Sequence, residues 1–339
     1  MRYTLVGLQD LLHILQKVLM IKQFKFTKII LILSLFCLKS IHLIGQDSTK
    51  VDKILLSKMD TATINEMQVY EDSLGLFAYL IVNDSLPDQR FLACHQFIPM
   101  LVKTLKHKNS FYYPFEQLKS ISIQYPADSS FRIFTWQLYV DENTYKYYGA
   151  IQMNTPDLQL FPLVSRPELV EAPEFEILSN KKWFGALYYA IRPFETNEGR
   201  KYLVAGYQQK DFFTKRKILD VISFKNGKPV FGAPVFVPED ENDEHPPSKN
   251  RVVINYYAGA TIKLNFDEVH QVILFDHLIE VADASRPKML PDGSYEGYKF
   301  DHGKWRHIVK IFHQISDEPP MEVNTNTGSA RDILGRKKN

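Results

Sequence analysis

Two short pairs in the sequence carry the residue types that bind divalent metals. Asp276 is followed by His277, and Asp301 is followed by His302. Carboxylate and imidazole are suitable ligands for zinc or manganese, and one such group can orient the other. Adjacent residues of a strand point to opposite faces, so each pair supplies one inward ligand unless the backbone bends. The four residues therefore define a hypothetical metal site, although an ordinary edge histidine is the preferred interpretation of His277.

A second set of candidates consists of aromatic residues that could line a sugar-binding or peptide-binding face. The set comprises Tyr148, Trp183, Tyr188 and Tyr257, each of which stands next to another aromatic residue. Adjacent aromatic side chains on a strand face opposite sides, so at least half of each cluster belongs to the core. Burial of the other half is the preferred interpretation, because these runs are typical of sheets that are covered on both faces.

Several catalytic signatures are absent from the sequence, namely HExxH, GxSxG, GxGxxG, the Walker A loop and CxxC. Their absence disfavours the common zinc proteases, α/β-hydrolases, dinucleotide-binding enzymes, P-loop enzymes and thioredoxin-like proteins. Residues 294–304 resemble one MORN-type unit, but such arrays need several copies, so a lone hairpin is expected. The acidic segment 239–245 offers oxygen ligands for Ca²⁺ but lacks the spacing of an EF-hand loop, and we expect a solvated loop there.

The first 45 residues have the layout of an upstream extension followed by a secretory signal. Lys22, Lys25 and Lys28 precede the apolar run 29–38, and Gly45 precedes a plausible cleavage point. The run is shorter than the roughly 20 residues that span a bilayer, so no integral membrane domain is expected after cleavage. Retention of the segment as an anchor stays open. Residues 1–19 either form an amphipathic helix or precede the true start at Met20, and the second interpretation is favoured.

Charge content bears on the expected partners, and cysteine content bears on thiol chemistry. Residues 1–45 hold six of the 41 basic residues and one of the 39 acidic residues, which leaves 35 basic against 38 acidic residues and a net charge of −3. A chain with that charge has no general attraction to nucleic acid, so no nucleic-acid partner is expected. Beyond Cys37, which lies in the apolar run, only Cys94 remains. We expect Cys94 to be a buried, inert thiol.

The elements that must position these residues follow from hydrophobic periodicity. Residues 46–115 show helical stripes, with Pro99 predicting a kink or an early break. Residues 116–316 alternate as strands around a long central hairpin at 131–153, and Asn226-Gly227 predicts a type I′ turn. Residues 251–257 are expected to pair with 261–266. The predicted fold class is α+β: a helical N-terminal region, a mainly antiparallel β domain (sandwich, open barrel or propeller-like meander) and a disordered tail at 317–339.

Five strings in the β region carry a resemblance to known sequences. They are FRIFTWQ, YYGAIQ, WFGALYY, FDHL and PDGSYEGY. Together they resemble segments shared by a family of uncharacterised exported proteins of Bacteroidetes type, over most of residues 110–312. The resemblance implies export and a single β-rich unit, and it implies no activity, cofactor or catalytic residue.

Export, aromatic β surfaces and missing catalytic signatures favour a non-enzymatic binding or envelope-assembly protein, located in the periplasm or at the outer surface. Its expected partner is an envelope protein or a glycan. The alternative is a metal-dependent hydrolase that uses Asp276, His277, Asp301 and His302. No cofactor is predicted apart from the divalent metal of that alternative.

Overall fold

The computed structural model describes residues 58–239, 246–283, 286–309 and 311. The predicted leader at 1–45, the predicted tail at 317–339 and residues 240–245 of the acidic segment lie outside these ranges. Within the described ranges, neither helix has an apolar stretch of the length that a bilayer crossing requires.

Helix α1 (Thr61–Asn83) forms where the sequence has both a capping residue and an apolar stripe. The side chain of Asp60 accepts a hydrogen bond from the Thr63 N–H at 2.9 Å, which satisfies one of the free donors of the first turn. The buried apolar residues of the helix recur at helical spacing: Met67, Leu74, Ala78 and Ile81. The predicted stripe over residues 67–81 is therefore confirmed.

Helix α2 (Pro87–Leu105) begins with a proline, which suits the first turn because no backbone N–H is needed there. The helix continues past Pro99 to Leu105, so the predicted early break is absent. Cys94 lies on its buried side with 3% exposure, as the sequence predicted.

The described residues contain fifteen strands. They are β1 (Ser122–Gln124), β2 (Phe131–Asp141), β3 (Thr144–Met153), β4 (Leu160–Val164), β5 (Leu178–Ser179), β6 (Leu187–Thr196), β7 (Gly199–Gln209), β8 (Thr214–Lys225), β9 (Lys228–Phe231), β10 (Phe236–Val237), β11 (Val252–Tyr257), β12 (Leu264–Asp267), β13 (Val272–Val281), β14 (Lys288–Asp301) and β15 (Lys304–Ile308). The predicted central hairpin is confirmed as β2 and β3. The α+β class, with helices first and a β-rich remainder, is confirmed as well.

The strands form three sheets. Their orders are β1-β2-β3-β4, then β5-β9-β8-β7-β6 with β11 also paired to β8, and β10-β15-β14-β13-β12. The pairs within the last two sheets are antiparallel except β10 with β15, which is parallel. The described strands do not close into a barrel.

One predicted pairing is wrong. Strand β11 pairs with β8, matching Val252 to Leu219 and Tyr257 to Thr214, while β12 pairs with β13. The expected hairpin between residues 251–257 and 261–266 does not form, and the connection at 258–260 accordingly has no residue with positive φ. The favoured two-residue hairpin turns need such residues. The Ala258 N–H instead donates to the Phe213 carbonyl at 2.8 Å, which holds β11 against the turn before β8.

The chain divides into two compact units. The first contains the described residues up to Tyr125 with Ser129–Phe134 and Ala150–Phe161; the second contains Pro126–Asp128, Thr135–Gly149 and the described residues from Pro162 onward. The second unit has a core that two sheets share. Its members come from β6, β7 and β8 on one side and from β12, β13, β14 and β15 on the other, including Leu203, Leu219, Leu264, Ile273 and Trp305. Of the architectures left open, this shared core is that of a sandwich.

The first unit holds a fully buried cation, Arg132. Its guanidinium donates to Gln152 Oε1 at 2.8 Å, to the Tyr113 carbonyl at 2.6 Å, to Tyr125 Oη at 2.8 Å and to the Ser110 carbonyl at 2.9 Å. All four acceptors are neutral, and burial lowers the pKa of Arg132. Aromatic rings surround the guanidinium at 4.7–5.8 Å, namely those of Phe111, Phe115, Tyr125 and Phe134. The Arg132 side chain thereby links residues 110–125 to the start of β2 through hydrogen bonds.

Candidate functional site

The four predicted metal ligands are not brought together. Asp276 is paired with Tyr295, which lies six residues before Asp301 along β14. At about 3.3 Å per residue, this separation corresponds to about 20 Å. His302 lies in the turn between β14 and β15. Its side chain is 93% exposed, and its Nδ1 contacts the carboxylate of the neighbouring Asp301. Within the described ranges, no group of three or more His, Cys, Asp or Glu side chains is placed to hold a metal ion.

Asp276 and His277 occupy different environments. Asp276 is buried and accepts a hydrogen bond from the Lys263 backbone N–H. The register between β13 and β14 shifts just after Asp276: Asp276 pairs with Tyr295 and Leu278 with Pro291, so His277 alone stands opposite residues 292–294 of β14. The extra residues of this irregularity belong to β14, and Asp292 is one of them.

His277 forms a cluster with two acidic residues and a second histidine. His277 Nδ1 contacts one carboxylate oxygen of Glu296, and His277 Nε2 lies 3.8 Å from Asp292 Oδ2. His307 Nε2 lies 2.7 Å from the other Glu296 oxygen. Burial raises the pKa of Glu296, but the bonds with His307 and His277 outweigh it, so the net pKa is lowered. Each carboxylate oxygen already has an imidazole partner, and the cluster therefore fixes three strands to one another.

Trp183 and Tyr188 lie in the core and not on a surface. Their exposures are 0% and 1%. Trp183 Nε1 donates to Tyr188 Oη at 3.0 Å, and Tyr188 Oη donates to Asp220 Oδ2 at 3.3 Å. Asp220 also forms an ion pair with Arg251 at 2.7 Å, and both of these side chains are buried. Burial raises the pKa of Tyr188 well above its usual value. These two aromatic residues therefore belong to a buried polar chain.

Tyr148 and Tyr257 keep part of their surface exposed. Tyr148 stacks on Trp136 with ring centroids 5.8 Å apart, and the Lys288 ammonium lies 4.9 Å from the Tyr257 ring. Since Trp183 and Tyr188 are buried, the four aromatic residues do not form one binding face.

An apolar cavity that is half open to solvent lies between the two sheets of the second unit. Its volume is about 480 Å³, and residues of β6, β7, β8, β12 and β13 line it. The lining is mainly aliphatic, and Leu219, Leu264 and Ile273 are each 1% exposed. Arg192, Asn265 and Glu268 supply the polar groups. An apolar cavity of several hundred cubic ångströms with a few polar groups is the usual form of a small-molecule site.

Two features of strand β6 account for this space. Ala190 is paired with Ala205 of β7, so two methyl groups stand where larger side chains would meet. The register also shifts between Tyr188 and Ala190, which places Tyr189 in a bulge. Tyr189 Oη donates to the Leu264 carbonyl at 3.0 Å and thereby ties the two sheets together beside the cavity.

Arg192 and Glu268 form an ion pair at the cavity. Arg192 Nη1 and Nη2 donate to Glu268 Oε1 and Oε2 at 2.5 Å and 3.1 Å. The guanidinium also lies 3.7 Å from the centroid of the Phe266 ring. The Arg192 bonds lower the pKa of Glu268. Sequence reasoning missed this site because it followed large aromatic residues, whereas the informative signal was a pair of alanines in strands that are otherwise bulky.

Comparisons with protein-family models, with curated proteins and with solved structures give no match to this chain.

Proposed function

We propose that this chain is an exported, non-enzymatic binding protein that takes up a small, mainly apolar ligand in the second unit. The cavity between the two sheets is the observation that carries the proposal. Its volume of about 480 Å³ falls inside the range of roughly 300–1,000 Å³ that is typical of small-molecule sites.

The side chains around the cavity favour binding over catalysis. The described residues that line it include no serine, cysteine, histidine or lysine. Acyl, phosphoryl or glycosyl transfer by the common mechanisms needs a nucleophile or a proton carrier in reach of the substrate. Glu268 is the one acidic residue among the described residues of the lining, so no second carboxylate stands there to share acid–base work with it. The hydrolase alternative lacks support because Asp276, His277 and Asp301 do not meet at one site.

The leader supports the export part of the proposal. Its basic residues and apolar run precede a plausible cleavage point near Gln46. N-terminal sequencing of protein recovered from envelope and culture fractions tests this point. A first residue near Gln46 is expected, and a first residue at Met1 would contradict cleavage. The cavity suits a ligand that is smaller and less polar than an envelope protein or a glycan. A partner of either of those kinds therefore stays a prediction.

Isothermal titration of the purified protein with decan-1-ol tests the binding site. We expect saturable binding, because an apolar chain gains free energy when it leaves water for an aliphatic cavity. Ala205→Leu fills the cavity from its wall and should abolish the binding. Ala190→Leu fills the cavity from the cross-strand partner of Ala205. It provides a second variant in case Ala205→Leu fails to fold.

Lys228→Leu is the matched control for these variants. It adds the same side chain to the same sheet, at an exposed position that does not line the cavity. This variant should bind decan-1-ol as the unmodified protein does. Absence of binding to the unmodified protein, or equal binding by Ala205→Leu and Lys228→Leu, would contradict the proposed site.

A further inference from the structure

We propose that the ligand of the cavity is an apolar chain that ends in a carboxylate, and that this carboxylate replaces Glu268 on Arg192. The inference rests on the function proposed above and specifies the chemical class of the ligand. It follows from the unequal ways in which the structure holds the two members of the ion pair.

Arg192 is the fixed member of the pair. It lies within strand β6, where Leu203 of β7 is its register partner. Its guanidinium stacks on Phe266 at 3.7 Å, and the Phe266 ring in turn contacts the buried ring of Trp305 at 6.3 Å. A side chain on a strand that packs on an aromatic ring keeps its geometry better than one on a loop. Arg192 therefore presents its donors at a constant position beside the cavity.

Glu268 is the replaceable member. It follows β12 in the connection to β13, and its side chain is 67% exposed, against 36% for Arg192. Apart from its bonds with Arg192, its carboxylate receives one long bond from Gln271 Nε2 at 3.4 Å. Ion pairs between exposed side chains contribute little to stability because water screens them. A competing carboxylate can thus displace Glu268 at low cost, and Glu268 can then turn into solvent.

The geometry of the pair indicates which head group fits. Both terminal nitrogens of Arg192 bond to the two oxygens of one carboxylate. A planar guanidinium matches a carboxylate in this two-point arrangement, which adds direction as well as strength. The aliphatic wall behind the pair, formed by Leu203, Leu219 and Ile273, then accommodates the chain of the same molecule.

Titration calorimetry with three probes of equal chain length tests the inference on the full chain. The probes are decanoate, decan-1-ol and decylamine at one pH and ionic strength. Decanoate should bind about tenfold more tightly than decan-1-ol, as one charge-assisted hydrogen bond can supply. Equal affinity of decanoate and decan-1-ol would overturn the inference and leave the proposed function standing. Tighter binding of decylamine would overturn it in favour of Glu268, and absence of binding by all three would instead overturn the proposed function.

Two substitutions at the ion pair sharpen the test. Arg192→Met should lower decanoate affinity to that of decan-1-ol, because the chain contacts remain and the charged donors are lost. Glu268→Gln should raise the affinity for decanoate severalfold, because the competing charge is gone, while the affinity for decan-1-ol stays constant. This variant also tests the inference if Arg192→Met does not fold. Arg200→Met is the control, an exposed arginine of β7 that does not line the cavity. A loss of decanoate affinity in Arg200→Met equal to that in Arg192→Met would contradict the assignment.

Discussion

At the residue scale, two buried arginines are stabilised in different ways. Arg132 bonds to four neutral acceptors, whereas Arg251 faces the carboxylate of Asp220 at 2.7 Å. A buried charge that loses its counter-charge costs more than the pair contributes when intact. Asp220 is therefore the more sensitive position of the second pair, because its removal leaves Arg251 charged in the core.

We expect Asp220→Asn to lower the free energy of unfolding by about 3–5 kcal/mol, the range for breaking a buried ion pair. The bond from Tyr188 Oη to Asp220 also loses its charged acceptor. Guanidinium chloride unfolding, followed by tryptophan fluorescence, measures the change. Asp301→Asn is the control, because Asp301 forms an exposed ion pair with Arg306. A similar shift of the unfolding midpoint in both variants would contradict the structural role of Asp220.

The sequence identified Trp183 and Tyr188 as candidate binding residues while favouring burial of such aromatic clusters, and both side chains are buried. Neighbouring aromatic residues on a strand point to opposite faces, which predicts that some are buried. Which ones are buried depends on what covers each face. The acceptor Asp220 and the Arg251 that pairs with it lie more than 30 and more than 60 residues after Tyr188 in the sequence. No local pattern contains that information.

At the element scale, local turns were predictable and distant pairings were not. Asn226 and Gly227 adopt φ of 52° and 71°, as the predicted type I′ turn between β8 and β9 requires. The partner of β11 is instead β8, which lies about 30 residues earlier in the sequence. No turn motif joins these two strands, so the sequence gives no indication of their pairing. The bulge at Tyr189 and the extra residues of β14 opposite His277 also depend on how distant strands pair, so neither the cavity nor the histidine cluster could be derived from spacing.

The cluster on β13, β14 and β15 makes a pH-dependent contribution to stability. Bonds with His307 and His277 lower the net pKa of Glu296 below its value in the unfolded chain, and Asp292 faces His277 from the same strand as Glu296. A lowered pKa contributes stability that is present above the unfolded pKa of about 4.3 and is lost as the pH falls through the folded value.

Glu296→Gln should therefore be less stable than the unmodified protein at neutral pH, and the difference should shrink as the pH falls below about 4. Chemical unfolding midpoints of both proteins between neutral and acidic pH measure this. A difference that stays constant over the whole range, or that grows toward acidic pH, would contradict the assigned direction of the pKa shift.

At the scale of the whole molecule, the two units differ in how they are stabilised. The first unit combines helices α1 and α2 with a hydrogen-bonded centre at Arg132. The second unit buries the facing sides of two sheets in one core, and it leaves an unfilled apolar space where Ala190 and Ala205 meet. Composition and periodicity predicted the α+β class because they report burial averaged over many residues. The position of a cavity depends on individual side chains from five strands.

The uptake of an apolar ligand between the sheets of the second unit is tested most directly by methyl NMR during a titration with decan-1-ol. The methyl resonances of Leu203, Leu219, Leu264 and Ile273, which line the cavity, should shift together and saturate. Those of Leu74 and Ile81, which are buried in α1, should not move. The proposal is contradicted if the lining methyls stay unchanged, or if the shifts fall instead on exposed apolar side chains such as Leu76 and Leu92.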